Sequence, residues 1–91
     1  MELWIRSQDK KGLFKVNNVY VVDYNGYYYV ASVIHGKEVK LGEYGFHTST
    51  RALEILDEIQ EAQLGNYHYR CPSNVKVSNN ENTIVYEMPK E

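Results

Sequence analysis

LGEYGFHTSTRALEILDEIQEAQLG, Leu41–Gly65, decides the fold: a strand that leads into the one convincing helix of the chain. A side-chain oxygen of Thr48 or Ser49 can accept a free amide of the first turn and cap it. Ala52, Ile55, Leu56, Ile59 and Ala62 recur at helical spacing as one apolar stripe, which Leu53 widens. Gly65 stands where a left-handed C-cap belongs. The spacing predicts a helix over Ser49–Leu64 with Ile55, Leu56 and Ile59 buried. A lone amphipathic helix of this length is marginal in water, so the stripe must be covered. The β-rich remainder of the chain is the obvious cover.

Upstream, Leu3–Arg6 reads as a short strand with Leu3 and Ile5 on one face, followed by a polar turn over Ser7–Gly12. Leu13–Asp23 is extended, but its alternation slips. Phe14 and Val16 share one phase and Val19 and Val21 the other, with Asn17-Asn18 between them predicting a bulge or bend. Asn25-Gly26 supplies the positive φ angles of a two-residue hairpin. Tyr27–Ile34 is apolar on both faces and is placed centrally. His35-Gly36 makes a second tight turn, and Glu38–Tyr44 returns with Val39 and Leu41 on one face. Downstream, the polar segment Asn66–Asn82 holds Pro72 and a short strand, Val75-Lys76-Val77. Thr83–Met88 is the last strand, stopped by Pro89 and expected to pair with a sheet edge, that of the first strand. The predicted class is α+β: an antiparallel sheet of about four to six strands, arranged as meander, helix and C-terminal strand. One main amphipathic helix packs on one face. Leu3, Ile5, Val30, Val39, Leu41, Ile84 and Met88 complete the expected core.

A chain of 91 residues is expected to form one domain. Its net charge of −2 argues against duplex nucleic acid, which is bound through clustered Lys and Arg. No apolar run approaches the ~20 residues that span a bilayer, and no signal peptide is apparent, so neither membrane insertion nor export is expected. The single cysteine, Cys71, has no internal disulfide partner and fits a reducing compartment, so a cytoplasmic protein is expected.

Nine tyrosines against two Phe and one Trp are the unusual feature, since Tyr suits both half-buried sheet faces and binding surfaces. Tyr24, Tyr27, Tyr28 and Tyr29 cluster at the first hairpin, where alternation sends Tyr28 to one face and Tyr27 with Tyr29 to the other. Tyr67, His68, Tyr69 and Arg70 form an aromatic and basic segment. The candidate binding residues are therefore Tyr24, Tyr27, Tyr28, Tyr67, His68, Tyr69 and Arg70, because exposed aromatic and Arg side chains anchor interfaces. The helix face opposite the stripe, with Glu54, Asp57, Glu58 and Glu61, is the alternative; its ordinary reading is a solvated surface. His68 and Cys71 have a metal-like spacing but lack further ligands beyond His35 and His47, so no metal is expected. No nucleophile–base pair, paired carboxylates or phosphate-binding glycine loop is visible, and neither an enzyme nor a cofactor is expected.

LWIRSQDK at Leu3–Lys10, the segment Leu41–Ile59 and VYEMP at Val85–Pro89 occur in an order that resembles small uncharacterised proteins of phages, prophages and mobile elements of Gram-positive bacteria. Gly45-Phe46-His47 is longer than the connection in that pattern, and Thr50 stands where an acidic residue is expected. The resemblance implies a non-essential accessory gene acting in a bacterial cytoplasm and brings no activity or functional residues with it. The leading expectation is a counter-defence inhibitor that binds a bacterial host protein stoichiometrically. The runner-up is a protein that sequesters a small nucleotide, stacking it on tyrosines and holding phosphates with Lys40, Arg51 or Arg70. A sheet-based DNA reader ranks lower, because Glu38 and Glu43 offset Lys37 and Lys40. A homodimer is left open.

Overall fold

The computed structural model describes residues 2–64, 75–77 and 83–91. Two sheets and one helix enclose a single core. Strands β1 (Glu2–Arg6), β2 (Leu13–Val16), β6 (Val75–Val77) and β7 (Thr83–Glu87) form a sheet of order β2-β1-β7-β6. Strands β3 (Tyr20–Tyr24), β4 (Tyr27–Ile34) and β5 (Lys37–Phe46) form a second, the meander β3-β4-β5. Helix α1 (Thr50–Leu64) packs chiefly on the inner face of this meander and also touches β7. The α+β class is as expected, with β4 central and β7 against β1. The strands divide between two sheets, however, and β1 and β7 run parallel. Parallel neighbours cannot be joined by a tight turn; here nearly the whole chain is their crossover.

The slip at Asn17-Asn18 marks the point where the chain changes sheet. Val16 faces the core from the first sheet, and Val19 and Val21 pack on it from the second. The inward phase therefore reverses between them. Asn18 takes the place of a strand residue: its Oδ1 accepts the Val33 amide at 2.8 Å and its Nδ2 donates to the Val33 carbonyl at 3.1 Å. The buried Ser32 hydroxyl donates to the Asn18 carbonyl at 2.7 Å, so no buried polar group is stranded at the junction.

Both turns of the meander have positive φ at both central residues: 52° and 86° at Asn25-Gly26, 53° and 79° at His35-Gly36. That is the type I′ geometry whose twist matches the flanking strands. β5 carries two extra residues against β4, at bulges that bend a strand and raise its local twist.

The helix stripe is narrower than its sequence suggests. Ala52, Ile55, Ile59 and Ala62 are buried, Leu56 is half-buried and Leu53 is exposed. At about 100° per residue, Leu56 lies roughly 80° from the centre of the buried stripe and Leu53 roughly 140°. Leu56 instead lines an open cleft of about 300 Å³ with Leu3, Val16 and Val19. The cap is modest: the Ser49 carbonyl accepts the Leu53 amide at 2.9 Å, and the Thr48 hydroxyl lies 3.4 Å from the Thr50 amide. Of the other expected core residues, Leu3, Ile5, Val30, Leu41, Ile84 and Met88 are buried, whereas Val39 is partly buried. Gly65 lies outside the described residues.

Two buried tyrosines add to this core. Tyr44 lays its ring over Gly42 and donates its hydroxyl to the Pro89 carbonyl at 2.6 Å. Tyr86 donates to Glu58 Oε1 at 2.7 Å. Ile55→Ala should cost about 2–5 kcal/mol in urea melts, and Leu56→Ala less than half as much, because only the former empties a closed site. Gly42→Ala should cost about 1–3 kcal/mol, since its Cβ would stand 2.6 Å from the Tyr44 ring.

Candidate functional site

The inner face of the meander holds Val19, Val21, Tyr28, Val30, Ser32, Ile34, Val39 and Leu41 against the core. Alternation turns the intervening side chains outward. Register places Tyr24 beside Tyr27, Val22 beside Tyr29, and Tyr20 beside Ala31; on the other side Tyr27 meets Phe46 and Tyr29 meets Glu43. The result is an aromatic outer face carried on three paired strands. Tyr24 is 64% exposed, Tyr27 46%, Phe46 50% and Val33 42%. These are large apolar side chains with no covering layer among the described residues.

The face has two parts. At the hairpin tip, the Tyr27 and Phe46 rings lie 4.5 Å apart and tilted by 37°, and Phe46 and His47 lie 3.7 Å apart. The His47 amide donates to the Gly26 carbonyl at 2.7 Å, which fastens the end of β5 over the turn. Gly45, at φ 110°, permits that path. Gly45-Phe46-His47 thus forms one side of an aromatic ledge at the hairpin tip. Farther along, Tyr20 and Tyr29 donate their hydroxyls to the two oxygens of Glu38, at 2.8 and 3.1 Å. The Glu38 hydrogen bond holds the Tyr20 phenol above its ordinary pKa; partial desolvation and then Glu38 do the same for Tyr29. Lys40 sits 5.5 Å above the Tyr29 ring and 3.5 Å from Glu43. These contacts fix the ring orientations.

Tyr24 and Tyr27 are on this face, whereas Tyr28 points into the core side. Tyr67, His68, Tyr69 and Arg70 lie outside the described residues, as does Cys71. On the helix, Glu54, Asp57 and Glu61 are exposed, but Glu58 lies at the stripe's border and accepts from Tyr86. Arg51 stands between Glu54 at 3.3 Å and Glu58 at 3.6 Å and donates twice to the Glu91 carbonyl. Lys40 and Arg51, the described cations that a phosphate reader would use, are thus both engaged by carboxylates. Tyr20, Phe46 and His47 are members of the face that the sequence alone did not single out. Comparison with protein-family models, curated proteins and solved structures finds no match.

A raised phenol pKa means that the folded state holds its proton more tightly than the unfolded chain does. The stability from the Tyr20–Glu38–Tyr29 contacts is therefore complete below the ordinary tyrosine pKa of about 10 and fades as pH rises past it. Glu38→Gln should lower the alkaline midpoint of tyrosinate absorbance in the folded protein. The stability gap between wild type and E38Q should shrink above about pH 10.

Proposed function

We propose that the chain is a non-enzymatic binding protein that docks a protein partner on the outer face of the meander. The observation that supports this is the exposed row Tyr24, Tyr27 and Phe46, set on paired strands and braced at its tip by His47. Aromatic side chains lose little entropy on binding and bury much area, so a preorganised group of them is what an interface centre needs. The polar groups beside them, Glu38 with its two phenols and the pair Lys40–Glu43, form a rim with a net negative charge. Such a rim suits a partner with basic residues around an apolar patch and repels a phosphate backbone. With the resemblance to phage and mobile-element proteins, the partner is a protein of the bacterial host, and the action is stoichiometric inhibition in the host cytoplasm.

The test is affinity capture from a bacterial lysate, with mass spectrometry of the proteins retained. Wild type should hold a partner at a fixed molar ratio. Tyr27→Ala with Phe46→Ala should lose it while the urea midpoint moves little, because both rings are solvent-facing. Undiminished capture by the folded double variant would overturn the site. A small molecule with nucleotide absorbance, released on heating in place of a protein, would overturn the partner class.

A further inference from the structure

A free sheet edge presents backbone donors and acceptors that another strand can pair with, and folded chains blunt such edges with short strands, Lys, Pro or bulges. The edges here are treated unequally. β2 is four residues long and carries Lys15, and β6 is three long and carries Lys76. β5 bulges twice, and Gln8 occupies part of its outer side through bonds to Leu41 and Glu43. β3 is the least protected: of these devices it has only a modest length, with one charge, Asp23, near its end. Its sequence, YVVDY, lacks Lys and Pro, its pairing with β4 is unbroken, and among the described residues no strand lies on its other side.

The hairpin fixes which atoms point outward. Residues flanking a two-residue turn exchange both backbone bonds, so Tyr24–Tyr27, Val22–Tyr29 and Tyr20–Ala31 are the hydrogen-bonded pairs. Val21 and Asp23 therefore turn their N–H and C=O groups away from β4. We propose that β3 pairs antiparallel with β3 of a second copy, about a two-fold axis at Val22. In that register Val21 and Asp23 of one chain exchange backbone bonds with Asp23 and Val21 of the other. Val22 meets its own counterpart, and each Tyr20 meets a Tyr24 on the outer face. Aromatic and β-branched cross-strand pairs stabilise a sheet, and the two Asp23 carboxylates are not opposite each other. Centring the axis on Asp23 would oppose like charges; centring it on Val21 would set Tyr24 against Asn18. The strand is thus self-complementary in one symmetric register, as an isologous contact requires. The two meanders become one six-stranded sheet with a continuous aromatic outer face. This goes beyond the docking proposal and stands without it.

The contact is one strand wide, well under the area of a standard stable interface, so association is weak and rises with concentration. Sedimentation equilibrium on the full chain should show the mean mass rising from 10.6 kDa toward twice that value. Val22→Lys and Val22→Glu should each remain monomeric, because like charges then face one another across the axis. An equal mixture of the two should recover the dimer, since Lys now faces Glu. A wild type that stays monomeric at every concentration would overturn the proposal, and so would a folded V22K that still dimerises. Failure of the mixture to associate would overturn the register. A conservative probe covers the case in which the charged variants fold poorly: Val22→Cys in a Cys71→Ser background. Non-hydrogen-bonded antiparallel partners bring Cβ atoms within about 5 Å, so mild oxidation should give a disulfide-linked dimer; its absence would sink the pairing.

Discussion

One primary amide, that of Gln8, joins parts of the chain that no common ladder connects. Its Oε1 accepts the Glu43 amide at 3.0 Å, and its Nε2 donates to the Glu43 carbonyl at 3.2 Å and the Lys90 carbonyl at 2.8 Å. Its own backbone amide donates to the Leu41 carbonyl at 2.8 Å. A side-chain amide has the same donor and acceptor pair as a peptide, so it can stand in for a missing strand residue. Here it pairs with the outward backbone groups of β5 at Glu43, beside the bulge. The turn holding Gln8 is itself pinned: Asp9 Oδ1 accepts from the Ser7 hydroxyl at 2.6 Å and the Lys11 amide at 2.9 Å. These contacts, the Ser7 bond foremost, hold the Asp9 carboxyl below the usual carboxylate range.

The same joint receives the residues after β7. The Met88 amide extends the parallel ladder to the Arg6 carbonyl, and Met88 is fully buried. The next three carbonyls each accept a side-chain donor: Tyr44 at Pro89, Gln8 at Lys90 and Arg51 at Glu91. Tyr86 and Glu58 close the other side, with Arg51 linking Glu58 to the tail. Burial of the Tyr44 phenol pushes its pKa well above the ordinary value, and its short bond to Pro89 explains why a hydroxyl can sit there without penalty. Leu3–Lys10, the end of β5 with the start of α1, and Val85–Pro89 all meet at this joint.

Local signals were legible where local physics decides the outcome. Asn25-Gly26 names its turn type, His35-Gly36 names a tight turn, and the apolar spacing after Ser49 names a helix, whatever the remainder of the chain does. The slip at Asn17-Asn18 was visible as a change of phase, but a bulge and a change of sheet look alike until the partner strands are known. Long-range register was the hidden quantity. Nothing local reveals that Tyr20 lies beside Ala31, that Phe46 reaches Tyr27, or that Glu58 falls at the stripe's border where Tyr86 arrives from β7. The parallel pairing of β1 with β7 was hidden for the same reason, since direction depends on how the intervening chain is wound.

Tyrosine divides along that line between local and long-range information. Tyr28, Tyr44 and Tyr86 serve the core side, while Tyr20, Tyr24, Tyr27 and Tyr29 share the outer face. A buried tyrosine needs a specific acceptor, and the two fully enclosed among the described residues have theirs at Pro89 and Glu58. The outer tyrosines have weaker demands, because water can serve an exposed hydroxyl. A frame held by Gln8, Tyr44 and Tyr86 can therefore keep its shape while the outer face changes. The outer face draws on Tyr20–Tyr29 and on Gly45-Phe46-His47, apart from that frame. Substitutions on the outer face are therefore expected to disturb the fold less than substitutions at the joint.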